Sequence, residues 1–268
     1  MVLDDASPDH TRQMMRDEFP DILHIRMPSN MGQVFARNLG VTSTAGDYVL
    51  SLDDDAWFES PDGLARAIAI MDADSRIGAL ALNVRLPNGW LFLPRGMAAR
   101  DMNSYIGCGV LLRREVAEKT LYIPEMMGAG EESDRSLRIY DLGYSVRGAP
   151  DIVVYHELSL LNRNWRRYRF MNHRNSLIRE LARCPLALLP WRFLRVWLGN
   201  TWFNLRDGYF LLDLQMLFHL PAILNIGLRR RRPVSLAAYR RWRAITAQDR
   251  AELPGGQGPA DYKGTQPA

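Results

Sequence analysis

Three stretches of this 268-residue chain carry acids at spacings that can do chemistry. The densest is Asp53-Asp54-Asp55, which follows the apolar run Tyr48-Val49-Leu50-Ser51-Leu52 and precedes Ala56. Adjacent carboxylates repel one another, and each loses hydration on burial. A triplet like this is stable only in water or around a cation. Hard oxygen donors suit Mg²⁺ or Mn²⁺, and those ions in turn suit a diphosphate. The plainer reading is a solvated acidic turn. The other two stretches are Asp4-Asp5-Ala6-Ser7 and Glu131-Glu132-Ser133-Asp134. Each also reads as a helix start, where acids complement the N-terminal dipole. His156 follows an apolar run and is either a ligand or an ordinary hydrogen-bonded histidine.

Such side chains act together only if the backbone holds them, so the elements around them matter. Residues 48–52 read as a buried strand, being apolar with a β-branched residue and an aromatic. The carboxyl end of a strand in an α/β sheet borders the expected ligand crevice. Upstream, residues 1–3 read as a strand end, and Ser7 is expected to cap a helix beginning at Pro8 and running to about Phe19. A strand over residues 22–27 follows, then a helix over about 34–42. Downstream, Ser60-Pro61-Asp62 opens a helix with Leu64, Ile68 and Met71 on one face. Residues 77–84 read as a strand, 90–93 as a short one, and 107–112 as one opened by glycines. An amphipathic helix follows Glu131 and is closed by Gly143. Residues 144–147 and 151–155 read as the last two strands. The alternation of strand and helix predicts an α/β fold with a mostly parallel sheet.

Composition is that of an ordinary globular protein, with 47% apolar and 24% charged residues and a formal charge of +4. The charge is uneven, with residues 163–243 rich in arginine. There, Trp165, Tyr168, Phe170, Trp191, Phe193, Trp197, Trp202 and Phe203 alternate with Arg163, Arg166, Arg167, Arg169, Arg192 and Arg195. Aromatic and basic helices of this kind suit a membrane interface; the alternative is a helical cap packed on the domain. Leu-rich runs argue against nucleic acid as the partner. The apolar run at 209–224 is interrupted by Asp213, Gln215, His219 and Pro221, so no window reaches the ~20 apolar residues of a bilayer span. Two cysteines, Cys108 and Cys184, suggest neither a zinc site nor a disulfide framework, and Cys108 reads as a small core residue. A reducing compartment and no secretory signal are expected. Three regions follow: 1–160 an α/β domain, 161–250 amphipathic helices, and 251–268 a disordered tail.

The order of motifs is specific. Asp4-Asp5-Ala6-Ser7 comes first, then Asn30-Met31-Gly32 with Ala36-Arg37-Asn38, then Gly46-Asp47-Tyr48 into Asp53-Asp54-Asp55. Gly130-Glu131-Glu132-Ser133-Asp134 with Arg138 and Gly143-Tyr144 follows, and then His156. This order resembles glycosyltransferase family 2, the inverting group with a Rossmann-like GT-A fold, over about residues 1–180. Arg174-Asn175 resembles a motif of its bacterial rhamnosyltransferase-like members. The family begins with a strand-helix unit ahead of the Asp-Asp-x-Ser motif, whereas Met1 here stands three residues before Asp4, so that unit is absent from this chain.

The resemblance implies roles. Asp5, with Asp4 beside it, would contact the nucleotide base, and Arg37 and Asn38 would lie against the donor. Asp53 and Asp55 match the outer positions of a DXD motif, with Asp54 between them. Asp55 and His156 would hold Mg²⁺ or Mn²⁺, and Glu132 would be the catalytic base. The expected activity is metal-dependent sugar transfer from a nucleotide-diphosphate donor to a glycan or lipid-linked acceptor. It would take place on the inner face of the plasma membrane, in cell-envelope polysaccharide synthesis. Two alternatives are a nucleotidyltransferase using the same acids and a non-catalytic remnant binding membrane or a partner.

Overall fold

The computed structural model describes residues 1–158 and 164–253. In chain order these form β1 (Val2–Asp4), α1 (Thr11–Glu18), β2 (His24–Arg26), α2 (Gln33–Thr42), β3 (Tyr48–Ser51) and β4 (Ala56–Phe58). They continue as α3 (Gly63–Ala73), β5 (Ile77–Arg85), β6 (Val110–Arg113), α4 (Arg114–Lys119), α5 (Glu131–Asp141) and β7 (Ser145–His156). The helices α6 (Trp165–Arg183), α7 (Leu189–Arg206), α8 (Phe210–Arg229) and α9 (Leu236–Glu252) complete it. The tail expected to be disordered lies outside the described residues from position 254, as does Arg163.

The α/β class stands, with the sheet in two pieces. β1 pairs with β2 in parallel, and five strands form a second sheet in the order β3-β6-β5-β7-β4. In that sheet β3, β5 and β7 run in one direction, while β6 and β4 oppose them. Direct parallel pairing is therefore confined to β1–β2 and β5–β7, because β6 inserts between β3 and β5. β5 is buried along nearly its whole length, as its unbroken apolar sequence requires. Its two faces pack into separate clusters, Ala79 and Ala81 against Leu137 and Trp242, and Leu80 and Leu82 against Met71 and Val154.

Several local expectations are corrected. The first helix starts at Thr11, not Pro8, because the Ser7 amide bonds Asp4 Oδ1 at 2.7 Å and holds a turn there. Of the expected α3 face, Met71 is buried and Ile68 packs beside it, but Leu64 is exposed and Gly63 and Ala67 are buried in its place. Residues 90–93 make one isolated bridge, Arg85 to Leu91, and no strand. The last two expected strands are one, β7. Its register against β5 jumps from Leu82–Ala149 to Asn83–Val153. Asn83 fills the irregularity, donating to the Leu93 and Pro150 carbonyls and accepting from the Leu93 amide at 2.9–3.0 Å. The glycine and proline in this bulged stretch made one strand look like two.

The C-terminal helices divide by packing. α9 joins the main core through Tyr239, Trp242 and Ile245 and packs on α5. α6 buries Leu177, Ile178 and Leu181 against Leu212, Met216 and Ile223 of α8. At Gly227 the two helices come so close that a Cβ would overlap Leu181. α8 runs unbroken through Pro221, and by length and composition it suffices to cross a membrane, contrary to the expectation for that stretch.

Candidate active site

The three acidic stretches have different fates. Asp4 ends β1 with a fully buried side chain. One oxygen accepts from the Ser7 amide, and the other pairs with Arg26 at 2.5 Å. Burial works against its charge, but Ser7 and Arg26 outweigh it and hold the carboxyl below the usual range. Asp5 accepts from the Met31 amide at 2.6 Å and the Gly32 amide at 2.8 Å, fastening the loop that leads into α2. Gly32 there has φ +83°, which a side chain would strain. Asn38, expected to lie against the donor, clamps the Tyr122 backbone instead, donating to its carbonyl at 3.0 Å and accepting from its amide at 2.8 Å. Asp4 and Asn38 are thus committed to the scaffold.

Asp53, Asp54 and Asp55 leave the sheet at the end of β3. Ser51 Oγ donates to the Gly107 carbonyl at 2.7 Å, pinning this strand end to the segment before β6. β4 then pairs antiparallel with β7, matching Ala56 with His156, so the histidine is delivered beside Asp55. His156 Nε2 lies 3.1 Å from Asp55 Oδ1, and the Glu157 amide donates to the Asp55 carbonyl at 2.8 Å. Asp54 is exposed.

Arg37 joins this cluster to α5. Its Nη2 donates to Asp53 Oδ1 at 2.8 Å, and its Nη1 lies 3.7 Å from Glu132 Oε1. The guanidinium occupies the space where Gly107 would carry a Cβ. Burial opposes its charge, but Tyr122, Asp53 and Glu132 more than compensate, so its pKa is raised. Glu132 is partly buried, and desolvation raises its pKa although Arg37 pulls it down. Its neighbour Glu131 is buried at the start of α5, accepts from Gln33 Nε2 at 2.9 Å, and leaves Oε2 without a partner among the described residues. Desolvation and the adjacent Glu132 push Glu131 up to about 8.

Positioning of this pair comes from α6. Asn175 Nδ2 donates to the Met126 carbonyl at 3.0 Å and the Ala129 carbonyl at 2.8 Å, and Arg174 donates to the Glu125 carbonyl at 2.8 Å. These bonds set the loop that ends at Gly130, whose φ of +81° turns the chain into α5. Asp134 is not part of the site. It is buried between Arg138 and Arg183 at 2.9 and 2.8 Å and locks α5 to α6. Cys108 is the residue that the sequence reading passed over. Its Sγ lies 3.2 Å from His156 Nδ1, and Asp53, Cys108 and His156 present ligand atoms within 4.8 Å of one another. Nothing in a lone Gly-Cys-Gly could have signalled that contact, which depends on the Ser51–Gly107 bond.

These side chains fit a divalent cation. Asp55 keeps one oxygen beyond its contact with His156, and oxygen with imidazole nitrogen is a donor set that Mn²⁺ accepts. On this α/β layout, acids at the ends of sheet strands face a partly buried glutamate across an arginine. Comparison with known proteins narrows this. Residues 1–121, just under half of the chain, match glycosyl transferase family 2. No curated protein sequence matches it significantly.

Among solved structures, it is similar to mannosyltransferase PcManGT from Pyrobaculum calidifontis in complex with GDP-Man and Mn²⁺. The identity is 20%, with 92% of this chain and 70% of that chain covered, at a TM-score of 0.54. It is also similar to S. aureus TarS 1-349, with 17% identity, 91% and 72% coverage and a TM-score of 0.55. GalNAc-T7 with UDP, GalNAc and Mn²⁺ matches at 17% identity, 63% and 40% coverage and a TM-score of 0.51. At such identities the likeness is one of fold.

Proposed function

We propose that this chain is a glycosyltransferase that moves a sugar from a nucleotide-diphosphate donor to a glycan or lipid-linked acceptor with inversion, using Glu132 as base. The observation that carries this reading is the convergence of Glu132 and Asp53 on Arg37, with Asp55 and His156 beside them. Asp55 and His156 would hold Mn²⁺ or Mg²⁺, which neutralises the diphosphate leaving group when bound. Glu132 accepts the acceptor hydroxyl proton as the oxygen–carbon bond forms at the anomeric centre and the bond to the diphosphate breaks. Burial makes this carboxylate a better base than one in water. Arg37 keeps Asp53 and Glu132 apart electrostatically and aligns both. A single base with no covalent intermediate gives inversion.

The acceptor would enter through a cleft of about 280 Å³ lined by Met127, Gly128, Trp165, Arg167, Tyr168 and Met171. It abuts the loop that leads to Glu131. Aromatic rings beside an arginine suit a sugar or the phosphate of a lipid carrier. Trp191, Leu198, Trp202, Leu217 and Phe218 on α7 and α8 are exposed, Phe218 to 87%. Basic residues Arg195, Arg206 and residues 229–232 flank them. Such a face supports the reading of an interfacial site on an anionic bilayer, and with it the proposal of a role at the cytoplasmic surface of the membrane in envelope polysaccharide synthesis. Because α8 uses Leu212, Met216, Ile223 and Gly227 to pack inward, lying on the bilayer is favoured over crossing it.

The test is the melting temperature of the chain with Mn²⁺ and UDP or dTDP, against Asp55→Ala. A metal-dependent rise that Asp55→Ala abolishes supports a nucleotide-diphosphate site. A cooperative melt that neither nucleotide moves would remove the donor reading.

A further inference from the structure

Cys108 serves none of the roles above. It comes from the segment ahead of β6, is 1% exposed, and faces His156 Nδ1 at 3.2 Å. The other ring nitrogen faces Asp55 at 3.1 Å. One imidazole therefore separates two unlike sets of donors. On the Nε2 side there is the Asp55 carboxylate and on the Nδ1 side there is sulfur, and an Asp53 oxygen lies within 4.8 Å of the sulfur and of a ring nitrogen. The order Cys108–His156–Asp55 has the connectivity of a nucleophilic triad, but the thiol is enclosed and does not reach a substrate. Ligation is the role that its neighbours fit.

We propose that Cys108 Sγ, His156 Nδ1 and one Asp53 carboxylate oxygen form a second cation site, selective for zinc-like ions. It competes for His156 with the Mg²⁺ or Mn²⁺ position beside Asp55. Asp53 can serve here because Arg37 engages its Oδ1, and among the described residues no hydrogen bond takes Oδ2. Three protein ligands of mixed sulfur, nitrogen and oxygen type with one open position are an ordinary zinc arrangement. Zinc places sulfur at about 2.3 Å and nitrogen at about 2.0 Å, so ligand atoms already gathered within 4.8 Å need only side-chain adjustment. Thiolate favours zinc and cobalt over magnesium, whereas the Asp55 side lacks that preference. On binding, the thiol proton leaves to solvent. With Nδ1 on zinc, Nε2 keeps its proton and donates it to Asp55, so the harder ion loses its nitrogen ligand. The inference concerns which ions bind, and it stands or falls independently of sugar transfer.

The experiment is a Co²⁺ titration of the full chain followed by electronic absorption, with far-ultraviolet circular dichroism confirming the fold of each variant. One equivalent of Co²⁺ is expected to produce a thiolate-to-cobalt charge-transfer band. Cys108→Ser or Cys108→Ala abolishes the band, and Asp55→Asn keeps it. Zinc erases the band and releases bound Mn²⁺, read as the free-ion signal in electron paramagnetic resonance. Its affinity falls at least about tenfold in either Cys108 variant, since losing even a supporting partner of a ligand costs that much. The proposal is overturned if folded wild-type chain gives no such band, or if the band survives in both Cys108 variants. It is also overturned if Asp55→Asn abolishes the band, which would put cobalt on the other side of the ring, or if zinc and Mn²⁺ bind together.

Discussion

Two strands of this molecule, β1 and β3, run into consecutive aspartates, and the two ends behave differently. At β1, the oxygens of Asp4 and Asp5 are taken by the Ser7, Met31 and Gly32 amides and by Arg26. At β3, Asp54 is exposed, the Asp55 side chain meets His156 alone among the described residues, and Asp53 gives one oxygen to Arg37. Composition is nearly the same at both ends. What separates them is how far the protein itself fills the lone pairs. A carboxylate saturated by amides and guanidinium is scaffold; one left with spare oxygens can take a ligand. The same contrast recurs within one turn of α5. Asp134 is satisfied by two arginines, whereas Glu131 keeps a buried oxygen with no partner among the described residues.

The sharpest way to break this contrast is to remove one member of each kind. Glu132→Gln is expected to lower kcat by about 10²- to 10⁴-fold, the usual worth of a general base. Its melting temperature should be little changed, as measured by sugar release from the donor alongside a thermal scan. Asp134→Ala should do the reverse. It leaves Arg138 and Arg183 buried without their partner, and urea titration should show a loss of roughly 3–5 kcal/mol. A stable Asp134→Ala protein would mean that the paired acids are not scaffold.

Smaller effects refine the distinction. Asp4→Asn should cost about 1–3 kcal/mol of stability through a weakened Arg26 contact and Ser7 turn, while Mn²⁺ affinity stays put by isothermal titration. Gly107→Ala pushes a Cβ into the Arg37 guanidinium and should cost roughly 1–3 kcal/mol. Glu131 gives a signal of another kind, in pH. Its folded pKa of about 8 exceeds the ordinary 4.5, so between those values the folded chain holds a proton that the unfolded chain has lost. The stability this contributes is complete below pH 4.5 and lost as pH rises toward 8. Glu131→Gln should flatten that decline in a series of melts, and an unchanged slope would show that Glu131 is charged in the fold.

Much of this could be read before any coordinates. Strong periodicity and apolar runs placed β3, β5, α2 and α5 within a residue or two, since those elements bury a continuous face. The acids were visible as acids. Their saturation was not, because Arg26 lies 22 residues from Asp4, and Tyr122 lies 84 residues from Asn38. Cys108 and His156 meet across 48 residues, and Asp55 reaches His156 through the pairing of β4 with β7. β4 itself is three residues long and carries little signal of its own. The β5–β7 bulge, filled by Asn83, hid the unity of β7. Arg174-Asn175 stood out as a pair, and its task of tying the carbonyls ahead of α5 became evident only from where α6 lies.

The closing helix has a consequence for how the chain is made. Trp242 is nearly fully enclosed among residues of β5, β6 and α5, so α9 completes the core from the far end of the sequence. A ribosome delivers the strands and the acid cluster first and this tryptophan last. Until residue 242 has left the exit tunnel, the face of β5 that bears Ala79 and Ala81 is covered by α4 and α5 but lacks Tyr239, Trp242 and Ile245. The nascent protein therefore holds this apolar face partly open to chaperones until α9 arrives to seal it.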